Sequence, residues 1–206
     1  NAAVGQALAE MVDFACDTLY DADYRCFKTI VEKGGTRVGT RQSFGHDCEI
    51  SYLLQNAASL LGDNALAAKV DNVCKQVLIQ VLEHDYDAWG SLYNGCDLAT
   101  GEREKSHVWW AQAESVTAML YGYELTGDTR FLSACETQAD YIEKYFVDRI
   151  HGDWYNNVIV DETGLHIVDG MHGFDKLNGG KCPFHNSQMC FEVMERTARL
   201  LKKEDS

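Results

Sequence analysis

Three short stretches of this sequence carry residue types that move protons and hold sugars. In SFGHDCEISYLL, residues 43–54, His46 and Glu49 are three residues apart and share one face of a helix in its first turn. The positive end of the helix dipole disfavours imidazolium there, so His46 is expected to stay neutral and able to accept a proton. Glu49 would orient it or hold a hydroxyl, though Asp47 and Glu49 also suit a helix N-terminus as plain dipole partners. In VWWAQAESVTAML, residues 108–120, Trp109 and Trp110 open a helix. Indole offers an apolar face and an N–H, which suits the C–H face and hydroxyls of a sugar; a buried aromatic layer is the plainer alternative. Glu114 shares a face with Trp110 by the i, i+4 rule, and Gln112 lies within the same turn. In KCPFHNSQMCFEV, residues 181–193, Pro183 suits a helix start and puts His185 at or near the first turn, where a capping role is the alternative. Met189, Cys190, Val193 and Met194 read as core.

Taken together, two histidines, two carboxylates and a tryptophan pair form a constellation for proton transfer on a carbohydrate. An unperturbed imidazole titrates near pH ~6.5, close to working pH. Two of them can act as base and acid on opposite faces of one carbon.

The elements that must position these residues are helices. Apolar spacing predicts helices over 3–19, 45–61, 64–83, 109–126, 128–147 and 185–203. LGDNAL and LTGDTRFL read as tight turns between helices. CFKTIVEKGGTRVGTRQSF and GDWYNNVIVDETGLHIVDGMHGF are long connections that read as short hairpins, and loops of that length are usually functional. The unit of helix, long loop, helix and tight turn repeats, and His46, Trp110 and His185 recur at the start of every second helix. Stacked helix pairs of this kind predict an all-α fold: an α/α toroid of the (α/α)6-barrel type, with about three of six pairs present and residues 1–206 forming one domain. Leu8, Met11 and Val12 at one open end, and Met189, Val193 and Met194 at the other, are candidate unpaired stripes for self-association or for pairing with another half.

Composition narrows the function classes. With 18 Lys and Arg against 32 Asp and Glu, the formal net charge is −14, which argues against a nucleic-acid partner. Hydrophobic residues at 46% support a packed core, and no apolar run is long enough to cross a membrane. The chain begins at Asn1, inside a predicted helix, and no signal-peptide pattern is visible; a piece of a longer or processed protein is expected. The eight cysteines form no C-x-x-C pair and match no zinc spacing. Several, among them Cys74, Cys135 and Cys190, fall on apolar helical faces, so free thiols in a reducing, cytoplasmic setting are expected. Of the remaining histidines, His84 ends a helix, His107 precedes the tryptophans and is a candidate to reach the site, and His151, His166 and His172 read as solvated loop residues.

GHDCE, WWAQAE and KCPFHNSQMC, in this order, resemble the signature of the N-acylglucosamine 2-epimerase family, closest to its cellobiose 2-epimerase branch. LTGDTRFLSACETQADYIEKY followed by GDWY fits as well. The resemblance implies an (α/α)6 barrel and epimerisation at C2 of a reducing-end sugar, with a β-1,4 disaccharide as substrate. His46 and His185 match the family histidines that exchange the C2 proton through an enediolate-like intermediate. Glu49, Trp109, Trp110 and Glu114 match positions that hold the sugar or assist ring opening. No metal or redox cofactor is implied. The family barrel is about twice this long, and the match is to its C-terminal half; the N-terminal half supplies an arginine, an asparagine and a further histidine to the site. The family tryptophan before Lys-Cys-Pro is Gly180 here. An aldose–ketose isomerase begins with the same proton removal. A glycoside hydrolase would use Glu49 and Glu114 but leave the histidines unexplained. A half-barrel without activity of its own is the third reading.

Overall fold

The computed structural model describes residues 1–161, 163–168, 176 and 178–204. Six α-helices carry the architecture: α1 (Ala2–Phe14), α2 (Phe44–Leu61), α3 (Asn64–His84), α4 (Trp109–Thr126), α5 (Thr129–Tyr145) and α6 (Phe184–Glu204). The first predicted helix is shorter than its periodicity suggests. It ends at Phe14 and runs on into a π-helical turn, Ala15–Leu19, whose wider winding buries Ala15 and Cys16.

The two tight turns are built the same way. Gly62 and Gly127 close α2 and α4 in the left-handed conformation, at φ 67° and 69°. The next residue in each case caps the following helix: Asp63 accepts from Ala65 N and Leu66 N, and Asp128 from Arg130 N. A Leu-Gly-Asp or Thr-Gly-Asp sequence thus folds the chain back on itself in two residues. This makes α2 antiparallel to α3, and α4 antiparallel to α5.

α4 is the middle of the arc. Trp109 and the whole stretch Ala111–Gly122 are buried, because α2, α3, α5 and α6 all pack on it. α2, α4 and α6 form the inner layer, and α1, α3 and α5 the outer one. At Gly122 a Cβ would fall 2.6 Å from the Phe131 ring, so the α4–α5 contact depends on a bare Cα. At the edges of the arc the inner and outer helices lack neighbours. α6 shows Phe184, Phe191, Met194 and Leu201 to solvent at spacings of seven, three and seven. α1 shows Val4, Met11 and Phe14. The predicted stripes were therefore partly misplaced. Val12 is 1% exposed and belongs to the core, and Met189 and Val193 pack partly against it, whereas Met11 and Met194 are exposed. Cys190 is exposed as well, since it faces the side of α6 that has no neighbour.

Among the described residues seven short strands stitch the loops together: β1 (Tyr20–Asp21), β2 (Cys26–Phe27), β3 (Arg41–Ser43), β4 (Gly95–Asp97), β5 (Ser106–Val108), β6 (Asn157–Asp161) and β7 (Gly164–Val168). Of the two expected hairpins, the second forms as β6–β7; the 26–44 connection holds a single bridge, Val31 to Arg37, and its first residues pair back to Tyr20–Asp21 as β1–β2. Two further pairings join different loops. β3 runs antiparallel to β4, with Ser43 opposite Gly95, and β5 runs antiparallel to β6, with Val108 opposite Asn157. Both matter for position, because β3 leads directly into α2 and β5 directly into α4.

Candidate active site

The N-termini of α2, α4 and α6 bring four aromatic or imidazole rings together. The Trp110 ring lies 4.8 Å from the His46 ring and 5.5 Å from the His185 ring. Trp109 meets His185 edge-on at 5.4 Å. Trp110 thus packs against both imidazoles. The six residues singled out from the sequence, His46, Glu49, Trp109, Trp110, Glu114 and His185, all fall within this cluster.

Each imidazole has a specific partner. His185 Nδ1 is 2.5 Å from Glu114 Oε1, and that carboxylate is 1% exposed. A buried carboxylate only accepts, so it fixes the proton on Nδ1 and leaves Nε2 with a free lone pair. His46 Nδ1 lies 2.7 Å from Ser43 Oγ. Ser43 occupies the N-cap position of α2 yet makes no side-chain cap bond; its hydroxyl is given to the imidazole instead. Burial, then the Arg41 guanidinium and His185, holds the His46 pKa below the usual imidazole value. The expected direction is right, but desolvation and neighbouring cations are the cause. Glu49 is pushed up, first by burial and then by repulsion from Glu114.

Glu49, Glu114 and His185 place one donor atom each within 4.8 Å of one another. Among the described residues this trio is the place where a divalent cation would find ligands. The sequence reading called for no metal, and the trio also suits hydroxyl groups.

The scaffold beneath the cluster was largely invisible in the sequence. Asp47, one residue beyond His46, does not point out as a dipole partner. Its carboxyl is buried, accepting from Phe27 N and from Gln42 Nε2, both at 2.7 Å. Burial pushes its pKa up to about 7. This pins β2 and β3 under the first turn of α2. His107 is not brought to the site. It is fully buried, with Nδ1 2.9 Å from Ser91 Oγ and 2.7 Å from Tyr141 Oη, and Nε2 3.4 Å from Asp87. With Gln112 and Gln138 these groups form a buried polar network at the start of α4, in which His107 Nε2 and Asp87 Oδ2 face each other without a hydrogen bond. Lys181, also buried, spans Asp153 at 2.6 Å and the face of Trp109 at 5.1 Å, which ties the start of α6 to the tryptophan. His151 is solvent-exposed beside Asp148, and His172 lies outside the described residues. A cavity of about 690 Å³ opens at the other end of the inner helices, between Tyr121, Glu124, Glu192 and Arg199, away from the imidazoles.

Comparison with known proteins fits this geometry. Residues 8–173 match the N-acylglucosamine 2-epimerase (GlcNAc 2-epimerase) family. The chain belongs to that family. A cellobiose 2-epimerase from Ruminococcus albus is 32% identical over 185 residues, which is 87% of this chain and 44% of the relative. One from Bacteroides fragilis is 33% identical over 152 residues, 74% of this chain and 37% of the relative. Among solved structures, a sugar epimerase from a ruminal bacterium superimposes with a TM-score of 0.85 at 29% identity, covering 95% of this chain and 48% of that one. The chain spans about half the length of the relatives it matches. Its helix pairs are those of an (α/α)6 barrel of the N-acylglucosamine 2-epimerase family, in an arc of three.

Proposed function

We propose that this chain carries the acid/base half of a sugar 2-epimerase, which interconverts C2 epimers of a reducing-end aldose. One observation carries the reading: two imidazoles pack against Trp110, each with its own hydrogen-bond partner, in a chain of an epimerase family. In the open-chain aldose the C2 proton is acidified by the C1 carbonyl. A neutral imidazole takes that proton, and the C–H electron pair moves toward the carbonyl oxygen to give an enediolate. The second imidazole, as imidazolium, returns a proton to the other face of C2, and the roles reverse for the reverse reaction. Glu114 keeps His185 in the tautomer that presents Nε2, and Glu49, Trp109 and Trp110 hold the sugar. Glu49, with its raised pKa, is suited to donate to a sugar oxygen during ring opening.

Cellobiose-type β-1,4 disaccharides are the proposed substrates, supported by the relatives named cellobiose 2-epimerase. The apolar faces of α6 and α1 support a second half-barrel as the partner that closes the ring. Eight free thiols support a reducing, cytoplasmic compartment.

Incubation with cellobiose in D2O tests the reading, with the chain alone and with a complementary half. Deuterium at C2 together with the manno epimer is the expected result. A ketose product would make the enzyme an aldose–ketose isomerase, released monosaccharide a hydrolase, and no exchange in either setting would remove the catalytic reading.

A further inference from the structure

The sequence motif around His46 contains a glycine that the proton-transfer chemistry does not use. Gly45 is buried in the first turn of α2, and its φ is not in the left-handed region, so the backbone does not require glycine there. What requires it is the neighbour. A Cβ at Gly45 would lie 2.6 Å from Trp110 Cη2, 2.7 Å from Trp110 Cζ3 and 2.8 Å from Ala111 Cβ. Carbon atoms do not approach so closely, and Ala111 is backed by a fully buried helix that has nowhere to move. The far edge of the indole therefore rests on the bare Cα of Gly45. That same indole touches the rings of both His46 and His185, at 4.8 and 5.5 Å.

We propose that Gly45 is a positioning residue for the acid/base pair: the missing Cβ lets Trp110 seat against both imidazoles, and the depth of that seat sets where they stand. The proposal rests on the reading of His46 and His185 as the proton-transfer pair only for its kinetic consequence. The geometric consequence stands apart from any activity. A methyl group at position 45 has to push the six-membered ring of Trp110 outward, and the ring carries both imidazole contacts with it. Reacting groups misplaced by about 1 Å lose on the order of 100-fold in rate, so a small displacement suffices.

The experiment is a double-mutant cycle of Gly45→Ala and Trp110→Phe, read in two ways. The first readout is the imidazole resonances of His46 and His185 by NMR in the chain itself. The second is the rate of C2 deuterium exchange in the active assembly. Phenylalanine lacks the two indole atoms that a Cβ would strike. Gly45→Ala is expected to shift both histidine resonances and to slow exchange by about 10- to 100-fold, with KM little changed. In the Trp110→Phe background only the contact with Ala111 Cβ is left, so the same substitution is expected to shift the resonances less and to slow exchange by a smaller factor. Equal effects in both backgrounds, or unmoved resonances in Gly45→Ala, would overturn the proposal. If Gly45→Ala does not fold, the double variant must fold; its failure to do so would show that Gly45 is needed for something other than Trp110. If the wild-type assembly exchanges no C2 proton, the epimerase reading falls, while the resonance cycle still decides the positioning role.

Discussion

His185 Nδ1 and Glu114 Oε1 lie 2.5 Å apart although 71 residues separate them in the chain, and the contact joins the first turn of α6 to the second turn of α4. It fixes the tautomer of His185, which makes Glu114 more than a sugar ligand. Glu114→Gln keeps the shape but can turn an N–H₂ group toward Nδ1. C2 exchange is expected to fall about 100-fold or more, and the ¹⁵N shifts of His185 are expected to report a mixed tautomer. An unchanged tautomer with normal exchange would reduce Glu114 to packing.

The pH profile should carry the mark of His46. Its lowered pKa keeps the imidazole neutral to more acidic pH than a free histidine, so the acidic limb of the rate profile is expected below the ordinary value of about 6.5. Arg41 is one cause of that lowering, and it is held by Glu104 at 2.7 Å. Arg41→Gln removes the cation, so the limb and the His46 NMR midpoint should both move to higher pH. A limb that stays fixed would mean that burial alone sets it.

Two buried carboxyls make stability depend on pH in the opposite sense to most acids. Burial pushes Asp85 up to about 8 and Asp47 up to about 7, from an ordinary value of 3.8. The folded state therefore keeps protons that the unfolded chain has already lost. Their stabilising effect is full below pH 3.8 and is lost as pH rises toward 7 and 8. The melting temperature should be lower at pH 8.5 than at 6, and Asp85→Asn should flatten that slope. A slope that survives the substitution would assign it to other groups.

At the far end of the inner layer, Arg196 is fully buried and ties three helices together. Its Nε donates to Glu192 at 3.0 Å, one Nη to Glu124, and the other to Gln55 and Asn56 at 3.3 Å. Arg196→Met leaves Glu192 without its cation and Glu124 with only the exposed Arg199 at 3.4 Å, with an expected loss of about 3–5 kcal/mol in denaturant unfolding. Additional replacement of Glu124 and Glu192 by Gln should recover part of the loss. A loss within about 0.5 kcal/mol, as at an ordinary surface site, would show that the network adds nothing.

The open faces of the arc predict association. Phe191 and Met194 are 63% and 69% exposed on one helix face. Sedimentation is expected to show self-association of the chain, and Phe191→Asp with Met194→Asp should return it to a 23.1 kDa monomer. A wild-type chain that is monodisperse and monomeric at high concentration would contradict this.

The sequence made the helices and the convergence of the site legible for simple reasons. Gly62-Asp63 and Gly127-Asp128 each pair a left-handed residue with a capping carboxylate, a signal carried by two neighbours in the chain. His46, Trp110 and His185 start alternate helices, so a stacked-pair fold brings them to one end. What stayed hidden depends on contacts between loops. β3–β4 and β5–β6 are strands of three to five residues from different connections, too short to show any periodicity. Asp47 looks like a dipole partner by type and place, and only the Phe27 and Gln42 donors reveal that it faces inward. Ser43 was the missed signal with the best local cue: a serine at an N-cap position three residues before a histidine. Cys190 and Met194 have core-like spacing, but the element that spacing is addressed to is not among these six helices.

Exchange of the C2 proton tests the central claim most directly. With cellobiose in D2O and the assembly that turns it over, His46→Asn and His185→Asn should each lower deuterium incorporation at C2 by about 100- to 10,000-fold, with circular dichroism and sugar binding retained. Normal incorporation in either variant would contradict the assignment of these two imidazoles as the proton-transfer pair.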